Sequence, residues 1–282
     1  MATLKELKGR IASVRSTLKI TSAMKLVASS KLRRAQLAIE AMRPYEKQLQ
    51  NILQALLSTG ARLPETSKPN EEAPVAIVAV SSNSSLCGGF NANVIARLRE
   101  LLADNPDATV FSVGRKVADA VRKSGRSSGG TFNSLSEKPS YAGASALAEK
   151  LADDFYNGRY SKVLLVYNHF VSTARQVPVA EVMLPAELPE ADSDFALPAD
   201  FIVEPSAGEM LASLFPKTIK LKLFTALLDS SAAEHAARTI AMQTATDNGE
   251  NILAELTLQY NKSRQQKITT EILDLAGGKV EQ

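Results

Sequence analysis

Residues 4–35 read LKELKGRIASVRSTLKITSAMKLVASSKLRRA. Leu4, Leu7, Ile11, Val14 and Leu18 recur at spacings of 3, 4, 3 and 4, the hydrophobic seam of a coiled coil. At about 100° per residue these side chains share one narrow stripe. The next positions on that stripe are Thr21 and Lys25, so the seam turns polar. Lys8, Arg15, Lys19 and Arg33 fall near one line on a neighbouring face, and no acid occurs between Leu7 and Ile39. The pattern predicts a helix running to about Leu57, kinked at Pro44 because proline removes a helical hydrogen bond.

The other end of the chain has a matching feature. Leu211, Leu214 and Phe215 precede Pro216, which is expected to break or kink a first helical segment. A long helical pattern then runs from about Lys217 to Ala276. Its middle holds alanines at 232, 233, 236, 237, 241 and 245, which permit another helix to approach closely. Asp247-Asn248-Gly249 is a turn signal, but a lone Gly costs a helix only about 1 kcal/mol, so the helix is free to pass through it. Helices of roughly 55–60 residues span about 80–90 Å. A domain of some 130 residues has a radius of gyration of only about 14 Å. Two such helices from opposite chain ends are expected to pair antiparallel and extend beyond the middle domain. Two helices alone bury little apolar surface, which predicts that the rod sits inside something else.

Between these ends the grammar alternates. PVAIVAV (74–80), ATVFSVG (108–114) and SKVLLVYNHF (161–170) read as buried strands, separated by amphipathic helices at 93–105, 115–125 and 142–156. QVPVAEVML (176–184) reads as an edge strand, because it contains a proline. The fold class is therefore α/β: a long antiparallel coiled coil of N- and C-terminal helices plus a central three-layer α/β (Rossmann-like) domain. The expected boundaries are 1–58 for the first long helix, 73–205 for the central domain and 206–282 for the second. Residues 60–74 and 185–206 read as loops.

Composition narrows the function. Aromatics are 5% of the chain and Trp is absent, so aliphatic and small residues must do the packing. The net charge of +3 argues against a dedicated nucleic-acid binder but permits a local basic patch. A single cysteine allows no internal disulfide, and two histidines, His169 and His235, make no His-rich metal site. No run approaches the roughly 18 apolar residues of a membrane span. The basic start superficially resembles a transit peptide, but its heptads are too regular for a disposable segment.

Three candidate sites remain. SSLCGGFN (84–91) lies between a strand and a helix, where α/β folds hold nucleophiles or phosphates. Cys87 as a thiolate at a helix N-terminus is one reading; a tight turn needing Gly88 and Gly89 is the other. No GxxxxGK[ST] or GxGxxG motif occurs, so nucleotide binding has no support. The basic face with Lys19, Lys25, Lys31, Arg33 and Arg34 is either solvated or meets a partner with acidic loops. His235 among alanines reads as helix packing, and His169 as a rim residue. Two rival classes are a nucleic-acid binder with a basic arm and an enzyme using Cys87.

RIASVRSTLKITSAMKLVASSKLRRAQ (10–36), SLCGGFN (85–91), AAEHAARTIAMQTATDNGENILAEL (232–256) and YNKSRQQKITTEILDLAGG (260–278) closely resemble the gamma subunits of F-type ATP synthases, in that family's order and spacing. The resemblance implies a central rotor stalk that couples ion flow through a membrane-embedded c ring to ATP synthesis in a ring of alpha and beta subunits. The implied partners are alpha, beta, epsilon and the c ring, with no nucleic acid, small-molecule substrate, cofactor or catalysis of its own. Thr21, Met24 and Lys25 match the neck facing acidic loops of beta, extended here by Lys31, Arg33 and Arg34. Arg264, Gln265 and Thr269 match an upper catch against beta. Phe201 and Glu204 match the foot near the c ring. Two departures stand out: Asn83-Ser84-Ser85 replaces a charged family turn, and Lys279, Glu281 and Gln282 make the C-terminal tip polar. The implied location is peripheral, on the cytoplasmic face of a bacterial inner membrane, with the mitochondrial matrix side as the alternative.

Overall fold

The computed structural model describes residues 3–59, 70, 72–186 and 203–277. The element order is α1 (Leu4–Ser58), β1 (Val75–Val80), α2 (Phe90–Asp104), β2 (Thr109–Val113), α3 (Arg115–Lys123), β3 (Ser128–Thr131), α4 (Asn133–Glu137), α5 (Tyr141–Tyr156), β4 (Lys162–Phe170), β5 (Gln176–Leu184) and α6 (Ala207–Gly277). The chain forms two compact units, one of residues 1–28 with 238–282 and one of residues 29–237. Both long helices contribute to each unit.

In the first unit, α1 and α6 run antiparallel. Thr21 meets Thr246, and Lys25 meets Gln243, so partner numbers fall as α1 advances. Leu18 covers Gly249, where an added Cβ would lie 2.7 Å from its Cδ2. A capping box starts α1: the Glu6 amide donates to Thr3 Oγ1 at 3.3 Å and the Thr3 amide donates to Glu6 Oε2 at 2.9 Å. The helix continues through Asp247-Asn248-Gly249, and a larger residue at 249 would require the Leu18 side chain to shift.

In the second unit a five-stranded sheet has the order β3-β2-β1-β4-β5. All pairs are parallel except β4 with β5. Alternation along β1 sends Ala76, Val78 and Val80 to one face and Ile77 and Ala79 to the other, and both faces are buried. Helices α2 and α3 cover the second face through Val94, Leu98, Val117 and Val121. The first face is covered by α5 and by α6 itself, through Leu147, Leu151, Ile219 and Leu223. That burial explains why Pro216 does not break α6. Leu211, Phe215, Ile219 and Leu223 pin the turns on either side against the core, offsetting the lost hydrogen bond. Pro44 likewise lies inside an uninterrupted α1, whose Leu49, Leu53 and Leu56 pack on Leu211 and Leu221. Further along, Leu32 and Ala35 close on Ala232 and Ala236, the close approach that the alanines permit.

Candidate functional surfaces

The turn after β1 occupies the place where the sheet order reverses, the usual ligand crevice of such folds. Here the chain fills it. Ser81 Oγ accepts from the Val117 amide at 2.9 Å, and Ser136 Oγ donates to the Ser81 carbonyl at 2.6 Å. The Ser82 amide donates to Asn91 Oδ1 at 3.0 Å, and Asn168 Nδ2 donates to the Phe90 carbonyl at 2.9 Å. Asn83, in place of the family's charged turn, joins two helices: its Oδ1 accepts from the Arg115 amide at 3.0 Å and its Nδ2 donates to the Asn133 carbonyl at 2.9 Å.

Cys87 is 1% exposed and packs with Phe90 against Ala233 and Ala237 of α6. Asn91 Nδ2 donates to its sulfur at 3.1 Å. A thiol so enclosed is unavailable to substrate, and the turn reading of this motif is the one the geometry favours. Gly88 has φ 55°, the left-handed conformation that suits glycine, and Leu86 shares it at φ 66°. Gly89 differs from expectation. Its φ is −79° and an added Cβ would make only ordinary contact with Asn93, so the backbone does not require glycine there.

On the first unit, Thr21 is buried between the helices, and Met24 and Lys25 are half-buried. Lys25 Nζ donates to Gln243 Oε1 at 2.8 Å, and Gln243 Nε2 donates to Asp247 Oδ1 at 2.6 Å. Arg264, Gln265 and Thr269 are exposed on α6, with Thr269 Oγ1 donating back to the Gln265 carbonyl at 2.9 Å. Large apolar side chains of the same unit stand in solvent: Leu26, Val27, Leu258, Leu273 and Leu275 are 58–74% exposed. On the second unit, Lys31, Arg33 and Arg34 are exposed on α1 and Glu204 is exposed ahead of α6. Phe201 and the tip residues Lys279, Glu281 and Gln282 lie outside the described residues.

The sequence reading missed a polar cluster where β4 and β5 face α1 and α6. His169 Nδ1 pairs with Asp229 Oδ2, and the Phe170 amide donates to Asp229 Oδ1 at 3.1 Å. Burial raises the Asp229 carboxyl above its usual range, and these hydrogen bonds oppose the shift. Tyr167 donates its hydroxyl to Glu181 Oε1 at 3.0 Å. Burial, then the Glu181 charge, pushes the phenol up. Glu46 of α1 is also raised, first by burial; Arg43 opposes this and Glu181 adds to it. Among the described residues no group of three His, Cys, Asp or Glu side chains is arranged to hold a metal ion. Nor is any described helix long and apolar enough to cross a membrane.

The family model described as ATP synthase matches residues 3–280. The chain is 50% identical over 286 aligned positions to the ATP synthase gamma chain of Phocaeicola vulgatus, covering 99% of each. It is 48% identical to the ATP synthase gamma chain of Bacteroides thetaiotaomicron over 300 positions, covering 100% of each. Among solved structures, the rotor of Euglena gracilis mitochondrial ATP synthase in rotational state 1 shares the fold at 18% identity, with a TM-score of 0.67 over 94% of this chain and 98% of that one. The Euglena gracilis OSCP/F1/c-ring assembly in rotational state 3 holds a chain matching at 19% identity and TM-score 0.69, over 98% of this chain and 93% of that one. With its family motifs folded as a paired-helix unit and a filled switch-point turn, the chain belongs to the ATP synthase gamma chain family.

Proposed function

We propose that torque reaches the alpha and beta subunits through the paired ends of α1 and α6, gripped by charge and sliding contact instead of interlocking side chains. As a gamma chain, this is the central-stalk subunit of the F-type ATP synthase, linking the c ring to the alpha/beta hexamer. The observation that carries the mechanism is the surface of the first unit. Leu26, Val27, Leu258, Leu273 and Leu275 are mostly in solvent, on a pair of helices too thin to bury them. Such side chains need a surrounding sleeve. Each fixed, closely packed contact with that sleeve would add a minimum to the rotational energy, whereas charge attraction varies more smoothly with angle.

Met24, Lys25, Arg264, Gln265 and Thr269 of the first unit are the proposed beta contacts there. Lys31, Arg33 and Arg34 are proposed for the same partner from the second unit, where Glu204, with Phe201, faces the c ring and epsilon. Thr21 acts differently, holding the two helices in register. The chain carries no catalytic step in this account, and it sits peripherally on the cytoplasmic face of the bacterial inner membrane. Co-expression of the tagged chain with the alpha and beta subunits tests the reading. Purification should recover both subunits with ATPase activity, and a tagged chain that emerges alone overturns it.

A further inference from the structure

A cavity of about 530 Å³ opens in the second unit between α1, the β4–β5 edge and α6. That size falls within the range of about 300–1,000 Å³ typical of small-molecule sites. Its walls are largely apolar, formed by Leu49, Leu53, Met183, Phe215, Ile219 and Leu221. Its polar groups are unevenly engaged. Asp229 is held by His169 and the Phe170 amide, and Lys222 Nζ donates to the Val182 carbonyl at 2.7 Å. Glu181 receives the Tyr167 hydroxyl. Glu46 is half-buried, and no hydrogen bond or ion pair reaches it among the described residues. Burial disfavours its ionised form; the Arg43 charge, also at the cavity wall, opposes this, and the like charge of Glu181 adds to it.

We infer that this cavity binds an organic ammonium ion with an apolar body, its head between Glu46 and Glu181 and its body along Leu49, Leu53 and Ile219. Three carboxylates, Glu46, Glu181 and Asp229, line the cavity against the cations Arg43 and Lys222, and Lys222 is already held by the Val182 carbonyl, so an anion would enter a partly dry site with an excess of acid. A hydrated inorganic cation would leave the apolar walls in contact with water. An ammonium group supplies the donors that Glu46 lacks, in charge-assisted hydrogen bonds, while an alkyl or aryl body covers the walls. The ligand would touch α1, the sheet and α6 together. This site is separate from the proposed partner contacts and does not depend on them.

The test titrates 4-phenylbutylammonium into the full-length chain by calorimetry, with 4-phenylbutanol as a comparator of the same body without charge. Saturable binding of the ammonium ion is expected, with at least fivefold weaker binding of the alcohol. Glu46→Gln, which keeps the side-chain shape, is expected to weaken the ammonium ion at least fivefold and leave the alcohol unchanged. Glu181→Gln is the second variant should Glu46→Gln fail to fold, and the same loss is expected. Absence of saturable binding, equal affinity for alcohol and ammonium, or undiminished binding by the folded variant each overturns the inference.

Discussion

Thr246 Oγ1 donates to Thr21 Oγ1 at 2.9 Å, joining α6 to α1 across 225 residues of sequence in a layer buried from solvent. The same Thr246 proton also faces the Met242 carbonyl at 2.8 Å, and Thr21 Oγ1 donates to the Leu18 carbonyl at 3.1 Å. The layer is therefore satisfied from both helices. One turn on, Lys25 meets Gln243. A sliding displacement of one helix along the other would break the Thr246–Thr21 bond, although each hydroxyl would keep the carbonyl of its own helix. The layer thus adds a contact specific to this register where the seam is polar.

Thr21→Val keeps the shape of the side chain and removes that partner. Thr246 retains the Met242 carbonyl, so the loss should be modest, about 1 kcal/mol. A lower midpoint in urea unfolding, with an unchanged slope, is the expected result. An equal midpoint would assign the register to the flanking apolar residues.

Lys25→Glu reverses the charge at a half-buried position. Gln243 Nε2 is able to donate to the new carboxylate, so assembly of the complex should survive. Proton-driven ATP synthesis in membrane vesicles should fall about fivefold, or ~1 kcal/mol of lost coupling. Synthesis at the parent rate would place the grip on beta elsewhere.

Cys87 is enclosed by Phe90, Ala233 and Ala237. Iodoacetamide should therefore leave the native chain unmodified and label it fully in denaturant, as read by intact mass. Rapid labelling of the native chain would restore the view of this turn as a reactive site.

Glu46 has a folded-state pKa raised above its ordinary value. For a raised carboxyl, the folded state binds more protons than the unfolded one between the two pKa values. Stability is then lost as pH rises through that window, and the penalty persists above it. Glu46→Gln removes the penalty. Its melting temperature should exceed the parent's at pH 7–8 by on the order of 1–2 °C, after discounting for exposure, and the two should converge toward pH 4. A variant less stable than its parent at pH 8 would show that Glu46 holds a favourable contact.

Periodicity made much of this architecture legible. The 3-4 spacing from Leu4 to Leu18 and the apolar runs of β1, β2 and β4 are single-element signals that need no tertiary knowledge. β3 had no such signal. Ser128-Gly129-Gly130-Thr131 lacks strand propensity, and only pairing with β2 extends it. Continuity through Pro216 was hidden for a related reason. The burial that outweighs the proline comes from the sheet face that α6 covers, far away in sequence. The polar cluster was equally opaque, since Glu46, Tyr167, Glu181 and Asp229 come from four separate elements. The basic run of α1 was plain in sequence, but the tying of Lys25 to Gln243 was not.

The most direct measurement is rotation itself. The beta subunits of a complex containing this chain are fixed to a surface, a bead is attached to an exposed cysteine introduced at Glu204, and ATP is added. Continuous turning in one direction is expected, at a rate that follows ATP hydrolysis. A stationary bead on a complex that hydrolyses ATP at its normal rate would contradict it.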